Sequence, residues 1–490
     1  MKLRNAIPAF VLSFMIIASA HADTWVYDDI TADTTWTPAG SPYNISGTIM
    51  IVNGAILTIQ PNVDVVFYNH AIEYSALVIE NSGTRGAIVA HGTAGNEIAF
   101  WSTDPGIHGS IASRIVHPWA TDPPKYDFRF EYCVFSNIKS IGFTWNGNGN
   151  GGIRAVNCRF ASTRVKGPNY QIVPPIYDSR IISCDFLGEP VVYPYLHALT
   201  MTRGYVEECT FDEMESGCSA QCTEITASTF TYCETALAIG KNVATSLNTF
   251  EDNDVGVYVA YSSSIGDGPW SSDEDTFYNN VRGIYIDGYD APANADYSTI
   301  TGATITYNDW GIDVWGTGPL LKIRDSGIGY NRIDGIRLFC DHNAVDLGTA
   351  LDPGGNTIVY NGDNDPEHYE YKDIYAHGSM FAGTGLIPAV GNTWEHISEA
   401  VIELCDITDY NDDPSNYTLD VRVTAGDTDF ATPPLVITPI PKKDTGVPTP
   451  SDEGAPTAPG GAASATNGSV STNDVGVEPT SLGNIKAIYQ

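Results

Sequence analysis

The sequence predicts an all-β chain wound into a solenoid of short parallel strands, each rung stacked on the one before. Three observations predict it. An apolar anchor recurs about every 25 residues, at Phe135, Phe160, Phe186, Phe211, Phe230, Phe250, Phe277, Ile305, Ile328 and Ile358. Two residues before each anchor stands a small or amide-bearing residue: Cys133, Cys158, Cys184, Cys209, Ser228, Asn248, Asp275, Ala303, Ser326 and Asn356. Between anchors the chain alternates apolar and polar residues, favours β-branched and aromatic types, and turns at Gly, Asn and Asp. Repeats of this length with no helical periodicity can bury their apolar faces only against neighbouring repeats. About 11 to 13 rungs at the usual inter-strand spacing would extend ~50–60 Å.

The elements follow in chain order. MKLRNAIPAFVLSFMIIASAHAD has a charged start (Lys2, Arg4), an apolar run and the small-x-small site Ala20-His21-Ala22, so residues 1–22 read as an export signal cleaved after Ala22. No later run approaches the ~20 apolar residues of a membrane-spanning helix. A secreted or surface location follows, with the solenoid over 23–438. From 439 the chain becomes rich in Pro, Gly, Ala, Ser and Thr, a composition that buries too little surface to offset ordering entropy, so 439–480 reads as a linker. Apolar residues return in SLGNIKAIYQ, and 481–490 reads as a short terminal segment, a candidate sorting tag.

Charge narrows the partners. The chain has 24 basic and 59 acidic residues, a net charge of −35. Nucleic acid is excluded as a partner, because affinity there comes from cations that neutralise phosphates. The same field disfavours polyanionic glycans unless cations bridge the two.

Equivalent residues of stacked rungs lie over one another. Cys133, Cys158, Cys184 and Cys209 therefore read as an inward column of small apolar side chains beside the phenylalanines. Disulfides between adjacent rungs are geometrically allowed, whereas a linear stack without histidine offers no tetrahedral metal site. Cys218 and Cys222, in CSAQC, read as a turn whose thiols could pair. Asn253, Asn280, Asn308, Asn331 and Asn361 form a second column able to pass amide hydrogen bonds between rungs. Gly256, Gly283, Gly311 and Gly335 read as turn glycines with positive φ.

These features resemble right-handed parallel β-helix proteins of the pectate-lyase-like and NosD-like type. SGTIMIVNGAILTIQPNVDVVF and LVIENSGTRGAIVAHGTAGNEIAFWST look like opening rungs, and LGTALDPGGNTIVYNG through ELCDITDYNDDPSNYTLDV like closing ones. The resemblance spans roughly residues 40–425 and implies the fold; the superfamily's activities are too varied for it to imply one. Its catalytic signatures are missing: the sequence has neither Gly-His-Gly nor Asp-Pro-His-Asp. Lys322, Arg324 and Asp325 are the nearest match to a lyase base beside carboxylates.

In GVYVA, GIYID, GIDVW and GIRLF the first and third residues after Gly should point inward. Tyr258, Tyr285, Asp313 and Arg337 then face outward, followed by Ala260, Asp287, Trp315 and Phe339. This predicts an exposed stripe of aromatics, carboxylates and one arginine, suited to the apolar faces and hydroxyls of a polysaccharide or cell-surface glycan. Asp287 and Asp313, on neighbouring rungs, are the candidate carboxylate pair if the chain is a glycoside hydrolase; Arg324 is the candidate base of a lyase. A purely structural surface spike is the third reading. No cofactor is expected, calcium being the one ion that the acidic turns NGDNDPEH and DYNDDPSN could hold.

Overall fold

The computed structural model describes residues 23–423 apart from 69–74, 82–85, 104–108, 116–126, 144–151, 167–178, 189–196, 262–268, 289–295, 319, 342–343, 363–371, 379–384, 397, 399–401, 403–405 and 409–418. The chain divides into a unit Met1–Asp429 and a unit Phe430–Gln490, and the second lies wholly outside the described residues. The expected signal, linker and terminal segment are outside them too.

Almost every described element is a short strand, and the strands form three long parallel sheets of 15, 14 and 13 members. A complete rung passes through the third sheet, then the first, then the second, before climbing to the next rung. Crossovers between parallel twisted strands take the right-handed sense, and the fold is the right-handed parallel β-helix that the repeats imply. The sheets hold more rungs than expected, because the strands before residue 67 and after 358 keep the coil without the regular anchor. Upstream the anchor column continues through Phe100 to Val65.

The anchors build the core. Phe100, Phe135, Phe160, Phe186, Phe211, Phe230, Phe250 and Phe277 stack consecutively inside the first sheet, ring centroids 4.5–4.9 Å apart and nearly parallel. Ile305, Ile328 and Ile358 continue the column by register. All are buried, so each phenylalanine gains full burial, and Phe135 through Phe250 each have a stacked ring on either side.

The cysteine column is structural. Cys133, Cys158, Cys184 and Cys209 are buried free thiols. Each thiol donates to the carbonyl two residues before it, at 3.2–3.4 Å. Ser228 and Ser326 make the same bond in the same column. Burial pushes the Cys133 and Cys184 thiols well up, which keeps them protonated and inert. Cys218 and Cys222 do not share a turn: Cys218 lies inside the strand Ser216–Ala220, fully buried, and both carry free thiols.

The asparagines form a directional ladder. Asn253 donates its N–H (3.0 Å) and its Nδ2 (2.9 Å) to Oδ1 of Asn280. Asn280 does the same to Asn308, Asn308 to Asn331 and Asn331 to Asn361. Asn361 gives both donors to the Asp373 carboxylate. The residue before each amide takes the left-handed conformation at Asp252, Asn279, Tyr307, Tyr330 and Tyr360, with φ between 54° and 60°. The glycines expected to supply that φ do not. Gly256, Gly283 and Gly311 are strand residues, and a Cβ on each would stand 2.5–2.6 Å from the carbonyl oxygen of the glycine one rung on. Close approach of backbones, rather than φ, requires them.

Four strands of the second sheet carry the predicted stripe, β1 (Val255–Ala260), β2 (Arg282–Gly288), β3 (Trp310–Gly316) and β4 (Asp334–Cys340), and β5 (Ile374–Ala376) follows them in the sheet.

Candidate functional site

Alternation along these strands works as expected. Val257, Ile284, Ile312 and Ile336 point into the core, as do Val259, Ile286, Val314 and Leu338. Register then places Tyr258, Tyr285, Asp313, Arg337 and Tyr375 in one outward column, and Ala260, Asp287, Trp315 and Phe339 in the next.

Exposure differs from the expectation. Tyr258 and Tyr285 are only 8% exposed and Asp313 is fully buried. Packing among the outward side chains supplies the physical reason. Arg337 forks onto Asp313, Nε to Oδ1 at 3.0 Å and the terminal nitrogen to Oδ2 at 2.6 Å. Trp315 Nε1 donates to the same Oδ1 at 2.8 Å, and Arg282 Nε approaches Oδ2 at 3.4 Å. Arg282 lies over the Tyr285 and Trp310 rings, and Arg337 over Trp310 and Phe339. The Tyr258 and Tyr285 rings stack 5.5 Å apart, and the Tyr258 hydroxyl reaches Asp287 at 3.4 Å.

The carboxylates are thereby given different roles. Asp313 is fully buried, takes hydrogen bonds from Arg337 and Trp315 and is ion-paired with Arg282. It orients Arg337 and Trp315 and lies beneath them, out of direct contact with anything on the surface. Asp287 pairs in register with Trp315, diagonal to Asp313, and remains partly exposed. The partly exposed residues of the face include Asp287, Trp315 and Phe339, together with Ala260, Arg282, Arg337 and Tyr375. The Trp315 and Phe339 rings stack at 4.2 Å, and Phe339 continues to His377 at 5.1 Å and Tyr375 at 6.0 Å. Arg282, Trp310, Tyr375 and His377 were absent from the sequence reading of this face. Arg282 and Trp310 lie just before the glycine, where strand pairing begins.

Arg324 belongs elsewhere. It ends the third-sheet strand Leu321–Arg324, largely buried, and donates to the Ile323 and Asp346 carbonyls and to the Asp346 and Asp352 carboxylates at 2.7–3.0 Å. Lys322 also contacts Asp352. The Arg324 and Lys322 donors hold the Asp352 carboxyl down to about 2. An unfolded aspartate titrates near ~3.9, so this ion pair stabilises the fold above that pH and is lost as pH falls toward 2. Denaturation midpoints measured from pH 5 to pH 2 should fall less steeply for Asp352→Asn than for the wild type.

Sequence reading also missed an exposed aromatic row. Tyr278, Tyr307, Tyr330 and Tyr360 stand at the corner between the first and second sheets, each 40–46% exposed, with ring centroids 5.3–5.5 Å apart. Tyr307, Tyr330 and Tyr360 stack face to face, so they offer a ligand mainly their edges and hydroxyls. Among the described residues no group of three or more His, Cys, Asp or Glu side chains could hold a metal ion, and no helix is long and apolar enough to cross a membrane. The acidic turns proposed for calcium fall mostly outside those residues.

No family model and no curated protein matches the chain. Solved structures of similar shape include the Agl-KA catalytic domain (13% identity, 75% of this chain and 63% of that one, TM-score 0.39). Others are the A-module of the mannuronan C-5 epimerase AlgE4 of Azotobacter vinelandii (9%, 77% and 91%, TM-score 0.32) and the catalytic domain of a GH87 alpha-1,3-glucanase in complex with nigerose (11%, 83% and 69%, TM-score 0.31). At such identities and scores the strand topology itself carries the fold.

Proposed function

We propose that this right-handed parallel β-helix is a secreted or surface-attached protein that binds an extended glycan across β2 to β5 without cleaving it. One observation carries the reading: the Trp315–Phe339 stack is fixed to the scaffold, because Trp315 Nε1 is tied to Asp313 and Arg337 is forked onto the same carboxylate. A rigid aromatic platform loses little entropy on binding. Sugar rings have apolar faces that pack on aromatics, and their hydroxyls suit the partly exposed Asp287. Asp313, fully buried and bonded to Arg337 and Trp315, is not accessible as the second member of an Asp287–Asp313 hydrolytic pair.

The test uses the chain from residue 23 with a panel of neutral and acidic polysaccharides, with and without calcium. Retention on at least one glycan is expected, with no new reducing ends and no ultraviolet-absorbing unsaturated uronates. Trp315→Ala should weaken retention about tenfold or more, as truncation of a central aromatic does. New reducing ends would make the protein a hydrolase, and absorbing products a lyase. Absence of retention on every glycan would point to a structural spike or adhesin.

A further inference from the structure

We propose that the outer face of the third sheet carries a second, separate site: an arginine ladder of Arg129, Arg154 and Arg180 that binds a linear anionic glycan bearing one carboxylate per sugar. The strands Phe128–Glu131, Ile153–Val156, Ser179–Ile182 and Gly204–Glu207 are consecutive in this sheet. Their register pairs Arg129 with Arg154, Arg154 with Arg180 and Arg180 with Tyr205. Phe128, Phe130, Ile153, Ala155, Ile181 and Val206 alternate with them and fill the core, so the arginines project outward.

Three like charges directly opposite one another on adjacent strands repel. The chain could have avoided this easily, with only 24 basic residues against 59 acidic ones. No carboxylate forms an ion pair with Arg129, Arg154 or Arg180 among the described residues. The nearest acidic neighbours on the face are otherwise placed. Glu131 contacts His91 at 2.7 Å, Glu207 lies on the Tyr205 rung in the next outward column, and Glu224 comes one rung beyond Tyr205. Arg129 Nε is buried without a hydrogen-bond partner. At the lower end Arg180 lies 5.1 Å from the centre of the Tyr205 ring, which is 37% exposed.

The ladder therefore presents guanidinium groups at rung spacing, ~4.8 Å, ending on an aromatic ring. A planar carboxylate takes two parallel N–H bonds from a guanidinium. An extended chain of sugar acids presents such groups at regular intervals and closes on a ring that can pack against a sugar. The overall negative charge opposes this partner at long range. At about 0.1 M salt that field is screened beyond ~10 Å, while contacts of a few ångströms persist. Bound carboxylates would also remove the repulsion within the ladder.

Polygalacturonate is the probe, titrated at about 0.1 M salt against the chain from residue 23. The wild type should bind and its melting temperature should rise with ligand. The triple variant R129Q/R154Q/R180Q should bind at least tenfold more weakly and show no rise, while its own melting temperature is unchanged or higher. The triple Arg→Lys variant should fall between, since it keeps charge and loses the fork. The same Gln variant should keep its retention on any neutral glycan that Trp315→Ala releases, which separates this site from the one on the second sheet. Equal binding by wild type and the Gln variant, or none by the wild type, would overturn the proposal. Equal affinity for a single-stranded oligonucleotide would overturn its assignment to a glycan.

Discussion

Phe211→Ala should lower unfolding stability by about 3–5 kcal/mol, read from urea denaturation followed by tryptophan fluorescence. Phe211 is fully buried and stacks at 4.6 Å on Phe186 and 4.5 Å on Phe230, the tightest pair of contacts in the column. Truncation removes the transfer energy of the ring, leaves a cavity that rigid neighbouring rungs cannot close, and deprives two rings of a partner worth ~0.5–1.5 kcal/mol each. Phe211→Leu should cost less, because the column already accepts isoleucine from Ile305 onward. A loss for Phe211→Ala within ~1 kcal/mol would mean that the stack is not the principal support of this region.

Asn308→Ala should cost a similar amount, about 3–5 kcal/mol, although it removes a much smaller side chain. Asn308 is fully buried. Its Oδ1 receives two donors from Asn280, and its Nδ2 serves Asn331 and the carbonyls of Phe277 and Thr306. The substitution strands donors above and an acceptor below where water has little access, and each orphaned group costs ~1–3 kcal/mol. Leu247→Ala, at an exposed corner, provides the contrast and should stay within ~0.5 kcal/mol. If the two variants melt together, the ladder is ornament rather than support.

Much of the fold was legible because a solenoid writes its stacking into the period. Once Phe135 and Phe160 are equated, every column follows by addition, including the cysteines and the asparagines. Glycine was misread because its two uses, positive φ and close approach, leave the same letter in the sequence. The outward direction of Tyr285 and Asp313 was legible from alternation, whereas their burial was not. Burial depends on Arg282 and Trp310, which precede the strand glycine and looked like turn residues. The arginine ladder was present all along, since Arg129, Arg154 and Arg180 each stand four residues before a column cysteine. It was overlooked because the net charge argued against any cationic surface.

The amide ladders also contain their own punctuation. An asparagine both receives from one rung and gives to the next, so it can only be followed by a rung that offers an oxygen. A carboxylate receives and gives nothing. In the column that begins with the cysteines, Ser228 and Asn248 pass their bonds forward until Asp275, whose Oδ1 accepts both Asn248 donors while Oδ2 takes the hydroxyls of Thr245 and Ser272. The next rung holds Ala303, which has no oxygen to offer, and the relay restarts from the Ala303 N–H onto Ser326. A single exchange of amide for carboxylate thus ends one sentence of rungs and lets another begin, so the length of each cooperative run is spelled by its terminator rather than by the repeat.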